Sequence, residues 1–246
     1  MSRHSHWAKI KRGKGATDSA RGNLFSKLAR LLTVAAREGG GDPTFNFKLR
    51  LVMDRARAES MSKDAIERAV ARGAGSGADA VILETVMYEA IAPGGVGVLI
   101  ECLTDNRNRA LGEVKGVCRE HQTTLASEGS VRWQFQRCGV VRAALAAEQQ
   151  SKAAAEQAEL ALIEAGAEDI REDGGQFIVL TKVENLQKVR EAVERIGLSI
   201  SDAGLEWIPK QVVDVPDAER EKIESFLGAL DELDDVQETY TNARGY

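Results

Sequence analysis

The sequence predicts an α+β chain of several domains, in which a three-helix N-terminal domain precedes α/β units. Three observations predict it. Apolar residues recur at helical spacing from Leu24 to Val70. The stretch Gly73-Ala-Gly-Ser-Gly-Ala78 then reads as a flexible linker and sets a domain boundary near residue 80. Beyond it, short runs with an apolar period of two alternate with helical runs, the pattern of sheets with helices packed on them.

Each element has a local signal. Thr17 and Asp18 are candidate N-caps for a helix running to about Glu38. Leu24, Leu28, Leu31, Leu32 and Ala35 fall on one side of it, with Lys27, Arg30 and Arg37 in a narrow arc opposite. Such a helix buries one face and presents a basic stripe. Gly39-Gly40-Gly41-Asp42-Pro43 ends it as a C-cap and turn. No strand precedes the triple glycine, so it is not read as a phosphate-cradling loop. A second helix is predicted from Asn46 to about Glu59, with Leu49, Val52, Met53 and Ala56 inward. A third spans roughly Ser62 to Arg72, with Ile66, Ala69 and Val70 inward.

In the α/β part, Val86, Tyr88 and Ala90 alternate, Pro93-Gly94-Gly95 turns the chain, and Gly97–Leu103 completes a hairpin. Thr104-Asp105-Asn106 caps a helix to about His121 that buries Ala110, Leu111, Val114, Val117 and Cys118. Val131, Trp133 and Phe135 predict a strand. A second unit follows: a strand at Gly139–Leu145, a helix at Ala153–Ala165 and a hairpin through Asp173-Gly174-Gly175. A helix bearing Leu186, Val189, Val193 and Ile196 and a short strand at Leu198–Ser201 complete it. The order β-α-β-β-α-β is ferredoxin-like. The chain closes with an extended run through Trp207, then a helix opened by Pro216 that buries Ile223, Phe226, Leu227, Leu230 and Leu233. An alternating strand at Val236, Glu238 and Tyr240 comes last. Asp231, Glu232, Asp234, Asp235 and Glu238 make this segment strongly acidic. It is either a solvated helix end or a segment that folds back on the basic N-terminus.

That N-terminus carries the main functional signal. Residues 1–37 hold nine basic side chains (Arg3, Lys9, Lys11, Arg12, Lys14, Arg21, Lys27, Arg30, Arg37) against Asp18. The segment is therefore +8 on a chain of −5, which leaves −13 for the other 209 residues. A cationic arm on an acidic body suits attraction to a polyanion, most often nucleic acid. The acidity of the remainder excludes a protein that coats duplex DNA over its whole surface.

With 43% hydrophobic and 29% charged residues in 246, the chain has a globular composition rather than a disordered one. The longest apolar strip, around Gly97–Leu103, falls well short of the ~20 residues of a membrane span. The basic start lacks the apolar block of a secretory signal, although its Arg/Lys-rich, acid-poor composition also matches a mitochondrial transit peptide. Cys102, Cys118 and Cys138 form no C-x-x-C pair and suit buried thiols in a reducing, cytoplasmic setting.

No catalytic constellation stands out. His4, His6, His121 and the scattered cysteines do not assemble four metal ligands. Gly129-Ser130 has no paired histidine, and Gly13-Lys14-Gly15 lacks the serine or threonine of a Walker loop. What stands out is Trp7 among Lys9, Lys11, Arg12 and Lys14, where cations can pair phosphates while the indole stacks on a base. Trp7 could equally pin the tail to the helical domain. Arg107 and Arg109 lie in the first turn of a helix, where the macrodipole disfavours cations. They form either an anion site or a structural arrangement in which Arg109 pairs Glu113 and Asp105 caps the helix.

Several blocks resemble the YebC family. They are His4-Ser-His-Trp-Ala-Lys-Ile-Lys11, Leu32-Thr-Val-Ala-Ala-Arg-Glu-Gly-Gly-Gly-Asp-Pro43, Ile66-Glu-Arg-Ala69, Glu101-Cys-Leu-Thr-Asp-Asn-Arg-Asn-Arg109 and Val236-Gln-Glu-Thr-Tyr-Thr-Asn242. The mitochondrial translational activator of cytochrome c oxidase subunit one belongs to the same family. The resemblance runs essentially end to end and begins at residue 4, which makes the basic arm part of the working protein. It implies a helical N-terminal domain and two α/β domains, the third inserted into the second. The expected boundaries are 1–80, 81–137 with 205–246, and 138–204 for the inserted ferredoxin-like domain. The sequence departs from the family at His6, where lysine is common, and at Phe47 and Ser62, where proline is common.

The resemblance implies no cofactor and no enzymatic activity. The family is described largely as transcriptional regulators that bind DNA; other members act in translation at the ribosome, and bacterial ones are linked to relief of stalls at proline-rich sequences. The expectation is a monomeric, cytoplasmic regulator of gene expression. It would bind RNA, on the ribosome, through Trp7, Lys9, Lys11, Arg12, Lys14, Arg21, Lys27, Arg30, Arg37, Arg107 and Arg109. DNA-binding transcriptional regulation is the alternative.

Overall fold

A computed structural model describes residues 18–75, 83–144, 152–173 and 176–246. It divides into two compact units: the described residues up to Phe135 together with Pro209–Tyr246, and Gln136–Ile208 between them. Among the described residues are seven α-helices and two four-stranded sheets.

The first unit opens with α1 (Asp18–Gly39), α2 (Phe47–Ala58) and α3 (Lys63–Gly73). Leu28, Leu32, Ala35 and Ala36 of α1 share a core with Leu49 and Ala56 of α2 and Ile66 and Ala69 of α3. Asn46 organises the α1–α2 turn. Its Oδ1 accepts the Leu49 N–H at 3.0 Å, and its Nδ2 donates to the Ala35 and Gly40 carbonyls, each at 2.7 Å. Ser62 caps α3 by accepting the Ala65 N–H. Gly73, expected as the first residue of a linker, is instead the last residue of α3, pressed against α1. A Cβ there would lie 2.1 Å from the Thr33 carbonyl oxygen. The rest of the expected linker, from residue 76, lies outside the described residues.

The sheet of this unit has the order β3-β1-β2-β8, built from β1 (Glu84–Ala92), β2 (Val96–Thr104), β3 (Thr124–Ala126) and β8 (Val236–Thr241). All three pairings are antiparallel. Pro93-Gly94-Gly95 turns β1 into β2 with positive φ at both glycines, which side-chain-bearing residues rarely adopt. Two helices pack on one face: α4 (Arg107–Glu120) and α7 (Asp217–Asp231). Ala90, Val98, Ile100 and Cys102 of the sheet meet Val114 and Cys118 of α4 and Ile223, Phe226, Leu227 and Leu230 of α7 in one core. Burial raises the Cys102 thiol to about 12 and the Cys118 thiol to about 11, which keeps both protonated and chemically quiet.

The strand expected from the alternation at Val131, Trp133 and Phe135 begins only at Phe135, because Arg132–Gln134 is a 3₁₀ turn. Its cause is Glu89, a carboxylate only 3% exposed on β1. It accepts the backbone N–H groups of Gly129 and Val131 at 2.6 Å and of Arg132 at 2.9 Å. Burial works to raise the Glu89 pKa, but these three donors and the Arg132 charge outweigh it and hold the carboxyl below its ordinary value. A depressed folded-state pKa contributes stability that is complete above the unfolded value, about 4.3, and vanishes as pH falls through the folded one. Glu89→Gln should therefore cost about 1–3 kcal/mol at neutral pH. It should also flatten the acid limb of stability, roughly between pH 5 and 3. Urea melts across that range would show it, and an unchanged acid limb would refute it.

The second unit contains β4 (Phe135–Ala144, beginning one residue earlier), α5 (Lys152–Ala165), β5 (Ala167–Asp173), β6 (Gln176–Thr181), α6 (Leu186–Arg195) and β7 (Ser199–Pro209). Its sheet order, β5-β6-β4-β7, with this succession of elements is the ferredoxin-like arrangement. Val141, Phe177 and Val179 from the sheet pack with Leu162 of α5 and Val189 and Val193 of α6. The last strand runs to Pro209 rather than stopping at Ser201, since the extended run through Trp207 continues it. Gly174 and Gly175 of the expected turn lie outside the described residues.

Candidate nucleic-acid interface

The expected contacts separate into three groups. Trp7, Lys9, Lys11, Arg12 and Lys14 lie outside the described residues. Arg21 and Arg37 are exposed on α1, Arg21 with its guanidinium 5.4 Å from the Phe25 ring centroid. Lys27, Arg30, Arg107 and Arg109 are engaged by carboxylates.

Lys27, expected on an outward stripe, is 5% exposed, with its Nζ 2.9 Å from Asp231 Oδ1 and also bonded to the Asp231 carbonyl. Arg30 lies 2.9 Å from Asp235 Oδ1 and donates to the Asp234 carbonyl. Asn23 Nδ2 donates to the Glu232 carbonyl at 2.8 Å. Helix α1 thus buries two faces. The apolar one meets α2 and α3, while the polar one meets the acidic turn between α7 and β8. Hydrophobic periodicity reports only the first. Lys27 and Arg30, expected on an outward stripe, are paired internally, because the acidic closing segment folds back onto the helix.

The α4 start is tied to the same acidic segment. Asn106, not Asp105, is the N-cap, with its Oδ1 accepting the Asn108 and Arg109 N–H groups at 3.1 Å. Arg109 reaches Asp105 Oδ1 at 2.7 Å and Asp235 Oδ1 and Oδ2 at 3.0 and 2.9 Å. Thr104 Oγ1 donates to Asp235 Oδ2 at 2.8 Å. Arg30 and Arg109 do converge, as an anion site requires, but the anion is the chain's own Asp235, 1% exposed. The hydrogen bond to Asp235 is the main cause that raises the Arg109 pKa, and the hydrogen bond from Arg109 holds the Asp105 carboxyl below its usual range. Arg107 pairs with Glu84 at 3.0 Å, and its carbonyl accepts the Tyr88 hydroxyl.

The sequence reading passed over the outer side of α2. In this helix Lys48 and Arg55 flank the core face on one side and Arg50 and Arg57 on the other, with Asp54 as the one acid, while Leu49 and Ala56 face the core. Arg50 lies over the Phe47 ring at 5.2 Å from its centroid. Lys48 reaches Glu38 at 2.7 Å and Arg57 reaches Asp54 at 2.8 Å, both on exposed surface where ion pairs are weak. Four cations in twelve residues were the available signal.

Among the described residues, no three His, Cys, Asp or Glu side chains converge to hold a metal ion. No described helix is long and apolar enough to cross a membrane.

Comparison with known proteins fits this architecture. Residues 5–76 match the N-terminal domain of the TACO1/YebC protein, and residues 83–243 match the TACO1/YebC second and third domain. The chain is 42% identical over 245 residues to a "probable transcriptional regulatory protein" of Desulfosudis oleivorans, covering 99% of this chain and 96% of the relative. It is 43% identical over 242 residues to a protein of the same name from Rubrobacter xylanophilus, covering 98% and 95%. A crystal structure of a conserved hypothetical protein from Aquifex aeolicus superposes with a TM-score of 0.80 at 39% identity, covering 98% of this chain and 97% of that one. By family match, identity and fold together, the chain belongs to the TACO1/YebC family.

Proposed function

We propose that this protein is a non-enzymatic regulator of gene expression that binds RNA on the ribosome through its N-terminal domain. One observation carries the reading: charge is partitioned by domain. Residues 1–75 hold sixteen Lys and Arg against seven Asp and Glu, a net +9, whereas residues 76–246 sum to −14. The outward cations of α2 support it, because they leave a positive surface after Lys27 and Arg30 are absorbed internally. A cationic domain tethered to acidic ones directs the polyanion to one end of the chain and repels it from the rest.

The test is co-sedimentation with ribosomes at increasing salt. Binding should fall steeply with ionic strength and be lost when Lys9, Lys11, Arg12 and Lys14 are replaced by glutamate. Unchanged pelleting of that variant would remove the reading. The names of the relatives support a second one, a transcriptional regulator acting on duplex DNA. Sequence-preferring duplex binding that survives physiological salt, with no ribosome association, would favour it.

A further inference from the structure

The α1–α2 turn carries a feature that charge does not explain. Phe45 is 86% exposed, the most exposed large apolar side chain among the described residues. Single exposed apolar residues are ordinary, so exposure alone means little. The setting is what matters, because the turn around Phe45 is fixed on both sides. The Phe45 and Asn46 N–H groups donate to the Asp42 carbonyl at 3.3 and 3.0 Å, and the Thr44 N–H donates to Asp42 Oδ1 at 2.8 Å. Asn46, next in the chain, is 5% exposed and tied to Ala35, Gly40 and Leu49. Gly39 lets Asn46 sit there, since a Cβ on it would come within 2.7 Å of the Asn46 side chain. Phe45 is therefore presented from a rigid turn, and ordering it on a ligand costs little entropy.

Its neighbours indicate the ligand. Phe47 already holds the Arg50 guanidinium over its ring, and Lys48, Arg55 and Arg57 extend along the same helix. Aromatic faces beside guanidinium groups and a cationic helix suit single-stranded nucleic acid, whose bases stack while its phosphates pair. A duplex hides its base faces in the stack and offers Phe45 nothing of the kind.

We propose that Phe45 stacks on an unpaired RNA base while the cations of α2 hold the flanking phosphates. This rests on the RNA reading above and names the form of RNA and the residue that meets it. The test uses the full chain and a single-stranded RNA of roughly twelve nucleotides carrying 2-aminopurine, whose fluorescence is quenched by stacking. The wild type should bind and quench it. Phe45→Ala should lose the quenching and bind about tenfold more weakly, and Phe45→Trp should restore both. The thermal midpoint should not move, because the side chain contributes almost nothing to the core.

Equal quenching and affinity in wild type and Phe45→Ala would overturn the stacking proposal and leave the RNA reading intact. So would a wild type that pellets with ribosomes yet leaves the probe unquenched. Loss of ribosome pelleting by Phe45→Ala with quenching retained would mean that a protein surface occupies Phe45, which also overturns the proposal. A wild type that binds neither probe nor ribosomes removes the RNA reading, and this inference with it.

Discussion

Replacing Asp235 by alanine should destabilise the first unit by about 3 kcal/mol, the lower end of the cost of breaking a buried ion pair from one side. The carboxylate is 2% exposed, accepts from Arg109 through two nitrogens and from Thr104, and forms an ion pair with Arg30. Removing it leaves two guanidinium groups facing one another across a small cavity. The penalty does not reach the upper end because Arg109 keeps Asp105 and Arg30 keeps the Asp234 carbonyl. For a unit of this size the expected fall in melting temperature is roughly 6–12 °C. Asp235→Asn, which keeps the volume and one acceptor, should cost less. Because the carboxylate is buried, the loss should persist in high salt. A loss below about 0.5 kcal/mol, or one that disappears with added salt, would mean that the network behaves as an exposed surface pair.

Gly73→Ala should cost a similar amount, about 3 kcal/mol, for an unrelated reason: overpacking that no side-chain rotation relieves. The Cβ would meet backbone, the Thr33 carbonyl oxygen at 2.1 Å, as well as the Ala36 Cβ at 2.9 Å. Helix α3 must then move away from α1, weakening contacts of Ile66 and Ala69 and the 3.1 Å hydrogen bond from Thr33 Oγ1 to the Ala69 carbonyl. Denaturant melts of the Gly73→Ala chain would read this directly. If α3 can shift without loss, the variant will melt with the wild type, and the close approach will have no energetic weight.

These two residues show where the sequence was legible. Apolar spacing located nearly every helix and strand, and cap residues such as Asn46 and Ser62 set their starts, because those signals are local. Gly73 was misread because composition treats a glycine as freedom, whereas here it is a close contact with a helix forty residues away. The internal pairing of Lys27 and Arg30 was not legible because a hydrophobic pattern cannot report a face buried by ion pairs, and their partners, Asp231 and Asp235, lie near the far end of the chain. The 3₁₀ turn before β4 was missed because its cause, Glu89, sits on another strand. Nesting of one unit in the other is a long-range fact that no window of sequence contains. At the candidate interface, the arm was legible as charge. The outer side of α2 and Phe45 required knowing which residues the core leaves outside.

The nesting also has a consequence in time. Strand β2 pairs with β8, Val98 against Thr241 and Leu99 against Tyr240. A ribosome making this chain releases β2 long before its partner exists, and the whole of Gln136–Ile208 must be synthesised in between. Throughout that interval β2 presents an unpaired edge of nine residues, eight of them buried in the finished fold. The inserted unit can complete its own sheet in the meantime, so the second unit finishes before the first. Nascent chains halted between β7 and β8 are therefore the species in which aggregation through β2 should concentrate.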